Sequence, residues 1–377
     1  MKTLRTTVAA ATLALTALVT AAPAQADVPG AQALLQAGAA KGVADGYPAV
    51  IGLVRSGDTT RYAVAGVKDV TTRTPADPKA KFRIGSNTKA FTSTVLLQLE
   101  AEGRLSLDDT VAKWLPGSVN ANGYDGTRIT VRELLNQTSG LPEYAVGNFT
   151  TQYALNTQPN QPWAPQTLVN LALASRAPVS APGQTWAYAN TNYVLAGMVI
   201  TAVTGRTPAA EITDRIITPL GLTDTSFPTS DPNIYGNFLH GYQYPIGTPF
   251  LILDETVSDV QTYGAAGAMI STLDDLATFQ RALLGGTLLP AAQETELKTT
   301  APISATAGYG LGIFHTQLAC GWAWTHAGAV LGYFSNWYSN EDGSKQSVIA
   351  DSEFHMATPT RGQTDTSNAQ VNAFCAL

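Results

Sequence analysis

Short hydrophobic runs form the first recognisable elements of the chain. Residues 48–56 (PAVIGLVRS) and 61–67 (RYAVAGV) are rich in β-branched side chains and are bounded by Gly, Asp and Thr. Runs of this kind are typical of β-strands, and their closeness in sequence predicts that they pair. The segment after residue 48 is therefore predicted to contribute two strands to a sheet.

From Thr88 the apolar residues follow a helical repeat. Phe91, Val95, Leu96 and Leu99 recur at helical spacing, and the run stops at Gly103, a residue type preferred just after a helix. Similar patterns predict helices over residues 131–136, 165–175, 191–204, 208–217 and 272–284. The middle of the chain is therefore predicted to be mainly helical.

Strand character returns late in the chain. Four segments, residues 308–316, 321–328, 332–340 and 345–351, combine aromatic and β-branched residues at short spacing. The EDGS sequence between the last two predicts a hairpin turn. Residues 367–377 (SNAQVNAFCAL) are predicted to form a short closing helix.

Strands at both ends with helices between them predict an α/β (α+β) fold. The expected architecture is an antiparallel sheet flanked by helices, built from both termini, with an inserted all-helical lobe. We assign residues 27–90 and 265–377 to the sheet domain and residues 91–264 to the mainly helical domain. With 45% apolar residues, the chain is long enough to build a large core in two lobes.

The first 26 residues have the features of a secretory signal peptide. Lys2 and Arg5 precede a short apolar run, and Ala24-x-Ala26 provides a cleavage site. The run is shorter than the roughly 20 residues that a membrane span needs. We therefore expect cleavage after Ala26 and secretion of a protein without a membrane anchor.

The charge balance narrows the possible partners. Without Lys2 and Arg5, 20 basic and 28 acidic side chains remain, a formal charge of −8. No basic run or basic face is present, which argues against nucleic acid or an anionic membrane surface as partner. We also expect a monomer that needs no metal or other cofactor.

Only two cysteines are present, Cys320 and Cys375. In an oxidising compartment they are predicted to form a disulfide, rather than two free buried thiols. A disulfide that closes a loop of about 55 residues stabilises a fold by roughly 4 kcal/mol on the chain-entropy model. No Cys or His spacing of a zinc site is present.

The segment FRIGSNTKAF places Ser86 and Lys89 three residues apart at the start of the first predicted helix. Residues at this spacing share one helix face, so the two side chains can touch. A serine becomes a nucleophile when a neighbouring base takes its proton, and burial lowers the pKa of a lysine enough for that task. In the alternative interpretation, Ser86 caps the helix and Lys89 points to water.

Two further segments offer polar groups to such a site. Tyr188 and Asn190 directly precede the helix predicted from residue 191, where a tyrosine can move a proton and an asparagine can hold an amide. In the alternative interpretation, Tyr188 is an ordinary turn tyrosine and Asn190 caps the helix. His326-Ala327-Gly328 lies in a predicted strand whose edge presents backbone N–H groups for an oxyanion hole. Taken alone, a histidine such as His326 is more often a satisfied core or turn histidine, and a Ser-His-Asp triad is the competing catalytic design.

Taken in order, S-x-x-K, Tyr-x-Asn and His-x-Gly resemble the motifs of the serine penicillin-recognising hydrolases. More narrowly, the chain resembles the group of class C β-lactamases, secreted serine DD-carboxypeptidases, D-aminopeptidases, D-stereospecific amidohydrolases and related esterases. Further segments resemble this group in order and span nearly all of residues 28–377: FRIGSNTKAFTS, LLQLEAEGRLSLDDTV, ITVRELLNQTSGLPEY, NTNYVLAGMVI, AGAMISTLDDLATF and YGLGI.

The resemblance implies specific roles. Ser86 would be the acylated nucleophile, Lys89 its proton acceptor and Tyr188 the proton relay. Asn190 would anchor the substrate and the lysine, and His326 would stand where the group has Lys or His. The oxyanion would lie between the backbone N–H of Ser86 and one on the strand near Gly328 or Ala329. The Cys320–Cys375 pair resembles the single disulfide of secreted carboxypeptidase members.

Two departures from the carboxypeptidase pattern concern the leaving group. Those members commonly carry a threonine where this chain has Ala327, and an arginine on the preceding strand, where this chain reads Phe314-His315-Thr316. Losing that hydroxyl and that charge weakens carboxylate recognition by roughly 2 to 4 kcal/mol. We therefore expect Phe314, Ala327, Gly328 and Ala329 to contact a substrate whose leaving group need not be an acid.

The leading expectation is a serine hydrolase that cleaves amide, ester or peptide bonds of acyl-D-amino-acid substrates, with aminolysis as a side reaction. A strict DD-carboxypeptidase acting on cell-wall peptides follows closely. A class C-like β-lactamase or a carboxylesterase would use the same residues. A non-catalytic protein that binds β-lactams or peptidoglycan is the alternative from a different functional class.

Overall fold

The computed structural model describes residues 27–244, 252–353 and 360–377. The predicted signal peptide, residues 1–26, and its cleavage site lie outside the described residues. None of the helices in the described ranges has the length and apolar character that a membrane crossing requires.

Within the described residues, nine strands form one antiparallel sheet in the spatial order β3-β2-β1-β13-β12-β11-β10-β9-β8. Two small two-stranded sheets, β4 with β7 and β5 with β6, accompany it. The strands are β1 (Ala49–Ser56), β2 (Thr59–Asp69), β3 (Thr74–Pro75), β4 (Phe82–Arg83), β5 (Tyr242–Gln243), β6 (Leu253–Asp254), β7 (Ile270–Ser271), β8 (Ala301–Ser304), β9 (Ala307–Tyr309), β10 (Phe314–Leu318), β11 (Gly321–Val330), β12 (Tyr333–Ser339) and β13 (Lys345–Asp351).

The same described ranges contain twelve α-helices. Short 3-10 turns at Gly85–Asn87 and Gly264–Ala266 and a π-turn at Thr213–Ile217 complete the regular structure. The helices are α1 (Val28–Ala44), α2 (Thr88–Ala101), α3 (Val111–Trp114), α4 (Val131–Leu135), α5 (Asn148–Ala154), α6 (Pro165–Ser175), α7 (Asn190–Thr204), α8 (Pro208–Ile212), α9 (Thr218–Leu220), α10 (Leu273–Leu284), α11 (Ala291–Lys298) and α12 (Arg361–Ala376).

The predicted fold class is confirmed, because the sheet is antiparallel and joins strands from both ends of the chain. β1 pairs with β2 and with β13, so that Leu53 lies opposite both Tyr62 and Val348. The predicted hairpin between β12 and β13 forms around Gly343, whose φ is +73°. All strands of the large sheet lie within residues 27–90 and 265–377, while the division into two domains stays a prediction.

Several elements differ from the sequence predictions; the closing helix, for example, begins at Arg361 rather than at residue 367. The single strand expected over residues 308–316 is two antiparallel strands, with Phe314 opposite Tyr309. The reversal occurs because Gly310 donates its N–H to the carbonyl of Ile313 and Gly312 adopts a φ of +89°. Helix α1 was not predicted, because its Gly- and Ala-rich sequence does not separate into an apolar and a polar face at helical spacing. The absence of a side chain at Gly38 allows α1 to pack closely against Ala369 of α12.

The two faces of the sheet are buried differently. Apolar residues of α1 and α12 cover β1, β2 and β13 on one face. On the other face, α2 and α10 pack against the sheet, with Phe91 stacked on Phe279. A further apolar cluster joins α4, α6 and α7. Helix α2 is thereby held between the sheet and the helical region, with its N-terminus near β11.

The predicted disulfide is confirmed. Cys320 and Cys375 are bonded, and their Cα atoms lie 5.4 Å apart. The bond joins the turn between β10 and β11 to the C-terminal helix α12.

Candidate active site

Ser86 lies in the 3-10 turn that joins β4 to α2. Gly85 has a φ of +51°, and a Cβ at this position would come within 2.6 Å of the backbone nitrogen of Ala329. Only glycine therefore allows the turn to approach β11 this closely. The Ser86 side chain itself remains partly exposed, so a substrate can reach it.

Lys89 lies one helical turn beyond Ser86 and is completely buried. Its Nζ lies 2.9 Å from Ser86 Oγ, 2.7 Å from Asn190 Oδ1 and 2.8 Å from the carbonyl oxygen of Ala266. The helix-cap interpretation of Ser86 is wrong, since α2 begins at Thr88 without a side-chain cap and the serine oxygen faces the lysine.

The environment of Lys89 favours the neutral amine. Burial lowers the pKa of Lys89 to about 7, although the negative charge of Glu143 opposes the shift. A neutral amine has two N–H groups and one lone pair. Asn190 Oδ1 and the Ala266 carbonyl only accept hydrogen bonds, so they take the two N–H groups. The lone pair is left to accept the hydroxyl proton of Ser86.

Tyr188 lies two residues before α7, which begins at Asn190. Ser86 lies close enough to the Tyr188 hydroxyl to lower its pKa, and the centre of the Tyr188 ring lies 4.8 Å from Lys89 Nζ. Burial raises the pKa of Tyr188 far above its ordinary value. Tyr188 is therefore a protonated hydrogen-bond donor at neutral pH.

His326 is buried near Tyr188, but its hydrogen-bond partners are Ala327 and Tyr309. Its Nδ1 lies 2.6 Å from the carbonyl oxygen of Ala327, so Nδ1 carries the proton and donates it there. Its Nε2 then accepts from the hydroxyl of Tyr309 at 3.1 Å. Burial and the nearby charge of Lys89 lower the pKa of His326 to about 3, so the ring is neutral. The predicted catalytic role of His326 stays a prediction.

The edge of β11 runs beside the nucleophile. β12 pairs with β11 through Val330, whereas β10 pairs with it only as far as Thr325. Gly328 packs so tightly that a Cβ there would lie 1.8 Å from the carbonyl oxygen of Ile84. Ala327 is exposed, and Ala329 is half-buried. The strand edge thus adjoins the Ser86 turn, while the oxyanion hole expected there stays a prediction.

Four aromatic side chains and His326 lie close together next to this edge. The ring of Phe314 lies 4.5 Å from that of Tyr309, 5.2 Å from His326 and 6.1 Å from Trp186, measured between ring centres. Trp186 in turn lies 6.4 Å from Tyr188. Phe314 is half-buried. The predicted substrate contact at Phe314 is therefore part of an apolar wall.

Sequence reasoning missed Glu143. Its Oε2 accepts the backbone N–H of Asn190 at 2.7 Å, and its Oε1 accepts the N–H of Ala145 at 3.0 Å. The carboxylate therefore holds the first residue of α7, which carries the amide that contacts Lys89. A signal was present, because Glu143 is the single charged residue between Glu133 and Arg176.

Residues 15–350 match the Beta-lactamase family. The chain belongs to the beta-lactamase family. This membership confirms the class predicted from the serine–lysine motif, that of a serine-type hydrolase. The family assignment also agrees with the antiparallel sheet and flanking helices described above.

Curated relatives in this family match parts of the chain. Protein flp of Staphylococcus aureus strain N315 is 35% identical over 198 residues, which are 52% of this chain and 38% of that protein. Penicillin-binding protein 4* of Bacillus subtilis strain 168 is 27% identical over 288 residues, or 74% of this chain and 62% of that protein. The chain thus matches little more than a third of the length of the first of these relatives.

Solved structures of the family are similar over almost the whole chain. A D-stereospecific amidohydrolase from Streptomyces sp. has a TM-score of 0.83 and 37% identity, covering 90% of this chain and 98% of that one. The D-amino acid amidase from Ochrobactrum anthropi SV3, complexed with L-phenylalanine amide, has a TM-score of 0.76 and 25% identity. This match covers 92% of this chain and 98% of that one.

Proposed function

We propose that this chain is a secreted serine hydrolase that cleaves amide, ester or peptide bonds of D-amino-acid acyl groups through an acyl-enzyme at Ser86. The observation that carries the proposal is the buried Lys89, whose Nζ lies 2.9 Å from Ser86 Oγ while its two other partners, Asn190 Oδ1 and the Ala266 carbonyl, are hydrogen-bond acceptors. A buried lysine in this state is a general base at neutral pH.

Acylation follows from this arrangement. Ser86 Oγ attacks the substrate carbonyl carbon while its proton passes to Lys89 Nζ. The carbonyl oxygen gains the negative charge and is stabilised by backbone N–H groups of Ser86 and of the β11 edge. Asn190 and the Ala266 carbonyl, which already accept from Lys89, stabilise the ammonium that forms.

Expulsion of the leaving group requires a proton donor. Tyr188 is protonated and lies next to Ser86, so it gives its proton to the departing nitrogen or oxygen, and the Lys89 ammonium, which holds the proton taken from Ser86, reprotonates the tyrosinate. The carbon–nitrogen or carbon–oxygen bond breaks, and the acyl group stays on Ser86. Water then attacks the ester with the same groups in reverse order, and a second amine in place of water gives aminolysis.

The substrate class is supported by the aromatic side chains beside the site and by the solved relatives. The similar structures are, by name, a D-stereospecific amidohydrolase and a D-amino acid amidase. Phe314 and the exposed Ala327 offer neither a cation nor a hydroxyl to a leaving-group carboxylate. The aromatic wall of Trp186, Tyr309 and Phe314 provides an apolar surface for a substrate side chain.

The test compares two matched pairs of substrates. An acyl-D-Ala-D-Ala peptide is measured beside its C-terminal amide, and D-phenylalanine amide beside its L-enantiomer. We expect higher kcat/KM for the amide of the first pair and for the D-enantiomer of the second. Preference for the free acid would indicate a carboxypeptidase instead. Rapid turnover of β-lactams with no D-aminoacyl activity would indicate a β-lactamase.

Secretion and a monomeric state are part of the proposal. Residues 1–26 and the Cys320–Cys375 disulfide, which suits an oxidising compartment, support secretion. Expression of the full chain in a secreting host should release a protein that begins at Asp27, as read by intact mass spectrometry. A protein retained in the cell with Met1 intact would contradict this. Light scattering of the released protein tests the monomer.

A further inference from the structure

Gln137 has an unusual backbone for its residue type. It follows α4, with Asn136 as the last residue of the helical turn, and its φ is +66°. Glycine or asparagine is preferred at such a position, because a longer side chain is strained there. The Gln137 side chain is nevertheless completely buried. A strained, buried glutamine implies that its side chain makes contacts that glycine would not supply.

The contacts of Gln137 lie on both sides of Tyr188. Its backbone carbonyl accepts the N–H of Ala187 at 2.9 Å. Its side-chain Oε1 accepts the N–H of Ala189 at 3.0 Å. One residue thus binds the chain immediately before and immediately after the tyrosine.

The geometry of the tyrosine segment makes this a clamp. Ala189 is extended, with φ −147° and ψ 129°. In an extended segment, the N–H groups of residues i and i+2 point to the same edge, and the side chain between them is roughly perpendicular to that edge. Binding both N–H groups fixes the direction in which Tyr188 leaves the backbone.

The glutamine amide is itself fixed to α7. Asn192 Nδ2 donates to Gln137 Oε1, and Ser139 Oγ donates to Asn192 Oδ1. Asn192 lies on the same helix as Asn190, the residue that holds Lys89. The clamp therefore sets Tyr188 relative to the helix that positions the base.

We propose that Gln137 is a positioning residue that holds the Tyr188 hydroxyl over Ser86 through this two-point clamp. The inference rests on the proposed function, in which Tyr188 carries the proton to the leaving group. Gln137 itself touches neither substrate nor Ser86. Its removal should therefore slow proton transfer and leave substrate binding unchanged.

The test uses two substitutions at Gln137 and one matched control. Gln137→Met keeps the side-chain length but removes the acceptor for the Ala189 N–H, whereas Gln137→Glu keeps an acceptor oxygen. Gln346→Met is the control, because Gln346 is also completely buried and its amide donates to the Ala277 carbonyl, but it lies on β13 and contacts α10 instead of the Tyr188 segment. Each variant is measured for kcat, KM and thermal unfolding, alone and with Tyr188→Phe.

We expect Gln137→Met to lower kcat by about 10- to 100-fold with KM within about threefold, as for a misplaced catalytic group. Gln137→Glu should retain at least about a tenth of the wild-type kcat, and Gln346→Met should lower only the unfolding temperature. With Tyr188→Phe already present, Gln137→Met should cost less than about threefold more, because residues that act as a unit are not additive.

Two results would overturn the inference alone: effects of Gln137→Met and Tyr188→Phe that multiply fully, or a kcat loss in Gln346→Met equal to that in Gln137→Met. A Tyr188→Phe enzyme with wild-type kcat would instead overturn the relay role in the proposed function, and with it the need for a clamp. The two failures are therefore distinguishable.

Discussion

Lys89 and Asp351 are both completely buried ionisable side chains, but their surroundings differ. Burial lowers the pKa of Lys89 to about 7 and raises the pKa of Asp351 to about 8. Lys89 contacts three oxygen atoms, one of them the hydroxyl of the partly exposed Ser86. Asp351 Oδ2 accepts the hydroxyl of Thr366 at 3.3 Å, near a second buried acid, Glu353.

The comparison separates burial from function. Both groups titrate near neutrality because each is removed from water, and this alone does not identify a catalytic site. Lys89 in addition has the partly exposed Ser86 at hydrogen-bond distance and acceptors for its N–H groups. Asp351 is the last residue of β13 and lies near Tyr47. Its hydrogen-bond partner is the hydroxyl of Thr366 in α12, which is not a group that Asp351 could deprotonate for catalysis. Only the first arrangement provides a base with something to deprotonate.

The largest expected difference is in activity. Lys89→Met keeps a side chain of similar size and removes the base, so kcat/KM for a D-aminoacyl amide should fall by about 10³-fold or more. Asp351→Asn should stay within about threefold of the wild type, because its site does not meet the substrate. Steady-state kinetics on both variants, with unfolding curves to verify folding, checks the contrast. Comparable losses would remove the distinction between the two sites.

The pH dependence of the wild type sharpens the comparison. Only the neutral form of Lys89 accepts the serine proton, so kcat/KM should rise with pH up to about 7 and be level above it. Asp351→Asn should leave this midpoint unchanged, although it removes a group that titrates in the same range. A rate that is flat from pH 5 to 9, or a midpoint that moves in Asp351→Asn, would contradict the role of Lys89.

A smaller effect is expected from Glu143. Its negative charge raises the pKa of Lys89 against the effect of burial, so Glu143→Gln should move the midpoint of the kcat/KM profile to lower pH. The amide oxygen of glutamine still accepts the N–H of Asn190, and we expect kcat on the plateau within about tenfold of the wild type. An unchanged midpoint would restrict Glu143 to a structural role at the start of α7.

The smallest effect is on stability, and its dependence on pH is opposite at the two sites. The folded pKa of Asp351 lies above its unfolded value near 4, so wild-type stability is lost as pH rises toward about 8. Asp351→Asn should stabilise the protein at pH 9, by at least about 1 kcal/mol, and have little effect at pH 4.

Lys89 shows the reverse dependence. Its folded pKa lies below its unfolded value, so its buried charge destabilises the fold most below about pH 7. Lys89→Met should therefore raise stability more at pH 5 than at pH 9. Chemical unfolding of both variants at pH 4 to 9 measures the two slopes, and slopes of equal sign would show that burial does not determine these pKa values.

The sequence predicted the parts of the site that lie on local motifs. Ser86 and Lys89 share one helix turn, and Tyr188 and Asn190 share the start of another, so their spacing alone indicated proximity. Gln137 and Glu143 were not found, because they act through contacts between the segment after α4 and the start of α7, which spacing does not reveal. In the same way, the turn within residues 308–316 was not predicted, because its three glycines alternate with apolar residues as in a single strand.

The central claim is that Ser86 is the nucleophile activated by Lys89. Intact and peptide mass spectrometry after treatment with a fluorophosphonate tests it most directly, with Ser86→Ala and Lys89→Met beside the wild type. The account predicts one adduct on the Ser86 peptide of the wild type, none in Ser86→Ala and strongly slowed labelling in Lys89→Met. An adduct that persists in Ser86→Ala, or equal labelling rates in Lys89→Met and the wild type, would contradict it.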